Sequence, residues 1–90
     1  MTGRSKPTQD GVVLAGPCLV PKNAREALRL SIDVYLGHKL LSCRIWYKPD
    51  GSEDLRPGTG GWAVAVDRLP DVITALQQLE AEARRLGLLP

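Results

Sequence analysis

Phenylalanine is absent from this sequence, histidine occurs once and cysteine twice. With His38 alone and no base partner in view for any serine, threonine or cysteine, the chain lacks the members of a nucleophilic triad. Glu80 and Glu82 stand two residues apart, which on a helix places them on different sides rather than as an acid and base pair. Cys18 and Cys43 have 24 residues between them and no C-x-x-C spacing. Reduced thiols are therefore expected, not a disulfide and not a metal site completed by His38. The run Gly58-Thr59-Gly60-Gly61 is not followed by the lysine and hydroxyl of a phosphate loop, and the next residues have strand character instead of opening a helix. No catalytic residue, cofactor or metal is expected, and the chain reads as a non-enzyme.

Long apolar runs are also missing. The longest, Trp62 to Val66, falls far short of the roughly 20 residues needed to cross a bilayer. The polar start MTGRSKPTQD has no apolar signal region. A soluble cytoplasmic protein with no membrane partner is expected, associated with the nucleoid if bacterial.

What is present is a single small domain of 90 residues with 12 basic and 10 acidic side chains. A chain of this size buries only about 60–65% of its unfolded surface, so a partner subunit is expected to add to its core. The net charge of +2 does not by itself announce a nucleic-acid binder. Its placement is uneven: residues 1–66 carry nine basic and six acidic groups, whereas residues 67–90 carry three and four. Any electropositive surface thus belongs to the first two thirds.

Residues 1–17 contain Gly3, Pro7, Gly11, Gly16 and Pro17 without sustained periodicity and read as a flexible tail, leaving residues 18–90 as the folded domain. Within the tail GVVLA could form a short strand closed by Gly16-Pro17, and Cys18-Leu19-Val20 before Pro21 could serve as an edge strand. The stretch 27–36 alternates: Leu28, Leu30, Ile32 and Val34 point one way, and Arg29, Ser31, Asp33 and Tyr35 the other. After a tight connection at Gly37 and His38, residues 38–47 resume the period of two. Lys39, Leu41, Cys43, Ile45 and Tyr47 share one face, and Leu40, Ser42, Arg44 and Trp46 the other, so the two segments predict a β-hairpin. Residues 48–61 are rich in turn formers and read as a loop before a last short strand at Trp62 to Val66.

From Asp67 the period changes to three and four. Leu69, Val72, Ile73, Leu76, Leu79, Ala83 and Leu86 form the stripe of an amphipathic helix. Pro70 fits its first turn, Arg84 and Arg85 suit its negative end, and Gly87 is a stop. At about 20 residues such a helix is ~30 Å long and outruns short strands. Its second half, with Leu76, Leu79, Ala83 and Leu86, calls for a second copy of the same helix as the dimer interface.

The expected fold is α+β: a four-stranded antiparallel curved sheet followed by one long C-terminal amphipathic helix, homodimeric, with one sheet face against the helix and the other open. On the open face the hairpin would show Arg29, Tyr35, His38, Arg44 and Trp46. Cations that follow phosphates, interleaved with flat rings that accept bases, are the means of gripping single-stranded nucleic acid. The competing reading has the aromatics in the core and the charges on an ordinary solvated face.

The run from Leu30 to Val66 resembles the nucleic-acid-binding domain of the positive cofactor four family of transcriptional coactivators, which has small bacterial and phage members. The anchors are Tyr35 just before Gly37, the run Cys43-Arg44-Ile45-Trp46-Tyr47, the Asp50-Gly51 turn, Leu55-Arg56-Pro57, and Gly61 opening a short apolar strand before a helix. The resemblance covers about residues 26–80. It implies a homodimer whose sheets form an open groove for single-stranded DNA with weak sequence preference, and transcription machinery as a further partner. Carried over position by position, it assigns DNA binding to Tyr35, His38, Lys39, Arg44, Trp46, Tyr47 and Arg56.

The sequence also departs from the family. Leu36, Thr59 and Gly60 stand where basic residues are usual, and Trp62 replaces an aliphatic residue, either as a stacking surface or as core. These losses suggest weaker binding, and they leave open a protein-interaction module that keeps the fold with a weakened groove. DNA and RNA are not distinguished.

Overall fold

A computed structural model describes residues 12–90. Four ten-residue strands, β1 (Val12–Pro21), β2 (Glu26–Tyr35), β3 (His38–Tyr47) and β4 (Arg56–Ala65), form one antiparallel sheet in the order β1-β2-β3-β4. A 3-10 turn, Val66–Arg68, leads into the helix α1, Leu69–Arg85. This is the antiparallel four-stranded sheet with one C-terminal helix that the periodicities predict.

The β2–β3 hairpin is the most regular part. Its ten pairs run without a shift from Glu26 opposite Tyr47 to Tyr35 opposite His38. The connection is the two residues Leu36 and Gly37, both at positive φ (50° and 79°), which matches the twist of the flanking strands. His38 is thus the first residue of β3 rather than part of the turn. Leucine is poorly suited to the left-handed region, where asparagine is tolerated because its side chain bonds locally. Leu36→Asn is expected to stabilise the fold by about 1 kcal/mol, a rise in Tm of roughly 4–8 °C for a domain of this size. An unchanged or lower Tm would show that the exposed Leu36 side chain has a stabilising contact.

Two expected boundaries need correction. The tail expected over 1–17 ends earlier: Val12–Pro17 belong to β1, and residues 1–11 lie outside the described residues. Gly16-Pro17 does not close a strand. β1 passes through it with register shifts between Val13 and Ala15 and between Ala15 and Cys18. Gly16 has φ 92° and sits so close to β2 that an added Cβ would lie 2.9 Å from the Leu30 carbonyl oxygen. The loop expected over 48–61 likewise ends at Leu55, because Arg56–Gly61 pair with β3 through a bulge. The glycines there are places of close approach, not loop formers: a Cβ at Gly58 would lie 2.7 Å from the Ile45 carbonyl oxygen, and one at Gly61 2.5 Å from that of Cys43.

The helix begins with Pro70 in its first turn, where a missing N–H costs nothing, and ends with Arg84 and Arg85 in its last turn. Gly87 at φ 76° closes it, with Leu88 N donating to the Ala83 carbonyl at 2.8 Å. The expectation that this helix covers one sheet face is not met, since no helix residue is buried. Ile73, Leu76, Leu79 and Leu86 are 45–65% exposed, and Ala83 is half-buried. The molecule is correspondingly extended, 52 × 39 × 18 Å, with a radius of gyration of 15.6 Å. A compact chain of this length would have about 12 Å. Only Ala27, Leu41, Cys43 and Ser31 are buried in the sheet, and none of the described side chains is less than 2% exposed. One chain supplies an open sheet and a helix beside it, but little core.

Candidate nucleic-acid interface

Cross-strand partners share a face, so the register sorts the side chains. Arg29, Ser31, Asp33 and Tyr35 of β2 stand with His38, Leu40, Ser42, Arg44 and Trp46 of β3. The same face takes Val13 and Leu19 from β1, and Pro57, Gly61, Ala63 and Ala65 from β4. A groove of about 850 Å³ runs over it, lined by Arg29, Asp33, Tyr35, Ser42, Arg44 and Trp46 among others. Five residues expected on one open face, Arg29, Tyr35, His38, Arg44 and Trp46, are there together.

The other face carries Leu28, Leu30, Ile32 and Val34 with Lys39, Leu41, Cys43, Ile45 and Tyr47, joined by Trp62 and Arg56 from β4. Three of the seven residues that the resemblance points to, Lys39, Tyr47 and Arg56, thus stand on the opposite side from the other four. Tyr47 lies across from both Glu26 and Arg56 and borders a smaller groove of about 350 Å³ beneath Gly58–Gly60. Trp62 stands opposite Cys43 and is 48% exposed, so it is neither buried core in one chain nor part of the first groove.

Within the first groove the guanidinium of Arg29 lies over the Trp46 ring, 4.8 Å from its centroid. Arg29 pairs directly with Arg44, and Trp46 is the diagonal neighbour two residues farther along β3. Trp46 is half-buried, and its indole Nε1 is sealed from water without a hydrogen-bond partner. Asp33 Oδ1 is in the same condition. Arg29 and Arg44 have no carboxylate within ion-pair distance among the described residues, where the paired cations are Lys22, Arg25, Lys48, Arg68, Arg84 and Arg85.

The end of the hairpin is tied by Arg25, a residue that sequence patterning passed over. Its guanidinium donates to the carbonyls of Lys48 (2.8 Å) and Pro49 (2.6 Å), and Lys48 N donates back to the Arg25 carbonyl at 2.8 Å. This fixes the β1–β2 connection to the start of the β3–β4 loop. Nearby, hydrogen bonds from Lys22 and Asn23, both 2.9 Å, hold the Glu26 carboxyl below the usual carboxylate range. That contribution is present above the ordinary carboxylate pKa and is lost as pH falls through the lowered one. Cys18 is exposed and Cys43 buried, both as free thiols. No group of three or more metal-ligating side chains occurs among the described residues.

An open antiparallel sheet with cations and aromatic rings interleaved along one grooved face, trailed by one helix, is the architecture that the chain presents. Its fold is that of solved homologues of the transcription coactivator PC4. Crystal structures of a PC4 homologue from Burkholderia pseudomallei superpose with TM-scores of 0.65 in an orthorhombic form and 0.61 in a tetragonal form. They are 23% and 26% identical to this chain, covering 83% and 78% of it and 96% and 97% of their own lengths. The bacteriophage T5 homologue of eukaryotic PC4, described as implicated in recombination-dependent DNA replication, superposes with a TM-score of 0.55 at 16% identity. That match covers 86% of this chain and 82% of the phage protein. No protein-family model and no curated protein sequence matches the chain. No helix among the described residues is long and apolar enough to cross a membrane.

Proposed function

We propose that this protein is a homodimeric, sequence-tolerant single-stranded DNA-binding protein of the PC4-like fold, working as a coactivator-like factor in transcription or in DNA maintenance. The observation that carries this reading is the shared face of Arg29, Tyr35, His38, Arg44 and Trp46 over an open groove. Cations there follow the backbone and rings accept bases of any identity, which suits single strands and excludes the stacked interior of a duplex. The homodimer is supported by the exposed stripe Leu76, Leu79 and Leu86 and by the extended shape of the single chain. The reading involves no cofactor and no catalysis, and it suits a cytoplasmic protein that meets the transcription machinery. Single-stranded RNA presents the same phosphates and base faces.

Affinity is expected to fall with salt, because each phosphate contact on a single strand releases counterions with a log–log slope near −0.7. About four to six contacts then give a slope of roughly −3 to −4. Fluorescence anisotropy with a labelled oligonucleotide and the matching duplex checks it: single strands should bind more tightly, and steeply with salt. Equal affinity for the duplex, or a flat response, overturns the reading. It would favour a protein-interaction module instead, an alternative supported by Asp33 in the groove and by Leu36 78% exposed at its hairpin tip.

A further inference from the structure

We infer that Arg29 and Arg44 together hold one phosphate of the bound strand at the floor of the groove, and that Trp46 acts there as a positioning residue beneath Arg29, not as a surface on which a base stacks. The inference deepens the single-strand reading and rests on it.

Arg29 and Arg44 are direct cross-strand partners in an unshifted stretch of the sheet. Directly opposed residues have Cα atoms only about 4.5–5.5 Å apart, and like charges at such a position repel. Neither guanidinium is relieved by a carboxylate among the described residues. Asp33 shares the face, but it sits opposite Leu40, four positions from Arg29 along β2. Two unpaired guanidinium groups side by side on a concave surface suit an anion that accepts several hydrogen bonds at once, and a phosphodiester offers that geometry. An anion between them converts the repulsion into two attractions.

Trp46 makes the arrangement specific. With the Arg29 guanidinium 4.8 Å from its centroid, one ring face is already occupied. Its indole N–H is sealed from water without a partner, and the residue is only half-exposed. A ring so covered and set into the sheet offers little to an incoming base. What it does supply is a flat support that holds the Arg29 side chain in one orientation, so less freedom is lost when the phosphate arrives.

Salt dependence separates the two roles of Trp46, because losing a phosphate contact changes the slope whereas losing a stacked base changes affinity at constant slope. The titration uses a labelled oligonucleotide and an abasic strand of equal length, over roughly 50 to 200 mM salt. Arg29→Ala is expected to make the slope shallower by about 0.7 with both strands. Trp46→Ala should do the same, Trp46→Phe should keep the wild-type slope, and the Arg29→Ala/Trp46→Ala double variant should lose no more than either single one. If Trp46→Ala does not fold, Trp46→Leu keeps apolar bulk without a ring face and should show the same loss of slope.

An unchanged slope in Arg29→Ala overturns the phosphate site. A Trp46 variant that binds more weakly at unchanged slope, and only to the strand with bases, overturns the positioning role. Wild-type protein that binds neither strand overturns the single-strand reading itself, which keeps the two failures distinct.

Discussion

Leu79→Asp is expected to leave the protein a monomer at micromolar concentration, where the wild type is expected to sediment as a dimer of twice 9.8 kDa, about 20 kDa. Leu79 is 65% exposed in the single chain, and its neighbours on the stripe, Leu76 and Leu86, are 59% and 60% exposed. No helix residue is buried, so the apolar face is left uncovered by the other described residues. In a helix-to-helix contact the new carboxylate would be desolvated without a partner, at a cost of several kcal/mol. On an isolated helix the same substitution costs only the difference in helix propensity, under about 1 kcal/mol. A large change in sedimentation with a small change in the far-ultraviolet spectrum is therefore expected. A wild type that already sediments as a monomer, or a variant that remains a dimer, removes the helix from the interface.

Gly61→Ala is expected to lower stability by roughly 3 kcal/mol or more, combining left-handed strain with overpacking, which is a fall in Tm of more than about 10 °C. Gly61 has φ 152°, and its missing Cβ would lie 2.5 Å from the Cys43 carbonyl oxygen and 3.0 Å from the Arg44 Cα. Both obstacles are backbone in β3, so relief requires moving β4 away from the strand that carries Arg44 and Trp46. Gly51→Ala is the control: Gly51 also has positive φ, at 77°, yet nothing lies within 4 Å of its added Cβ. Its cost should stay near 1 kcal/mol, the conformational term alone. Thermal unfolding of the two variants side by side checks the pair, and similar melting temperatures would show that β4 yields easily at its bulge.

The hairpin was legible in the sequence because its alternation is unbroken. Once parity is assigned from Leu28, Leu30, Ile32 and Val34, the partners of Arg29 follow, and Arg29, Tyr35, His38, Arg44 and Trp46 come to one face. β1 was legible only in two pieces, GVVLA and Cys18-Leu19-Val20, and not as one continuous strand, since its register slips twice and the apolar residues no longer mark one side. In β4 the run Gly58 to Gly61 carries one side chain, that of Thr59, too little to reveal a period, and the closeness to β3 that requires glycine exists only in three dimensions. The helix was legible as an apolar stripe, but none of the described residues buries that stripe. Residue types named the members of the groove, whereas the cover of Arg29 over Trp46 depends on a diagonal contact that spacing alone does not express. Tyr47 shows the converse: the resemblance grouped it with the groove, and the unshifted pairing with Glu26 turns it to the other face.

The sheet has two open edges, and their irregularity limits how copies can join. β1 is interrupted by two register shifts around Gly16-Pro17 and ends at Pro21, while β4 starts at Arg56-Pro57 and carries a glycine bulge. A kinked edge lacking some N–H donors is a poor template for another strand, so chain-to-chain growth of the ladder into fibres is disfavoured. Association is left to side-chain surfaces, which close after a fixed number of copies when they meet about a two-fold axis. A thin protein that exposes much of its apolar surface can thus remain a finite particle instead of a polymer.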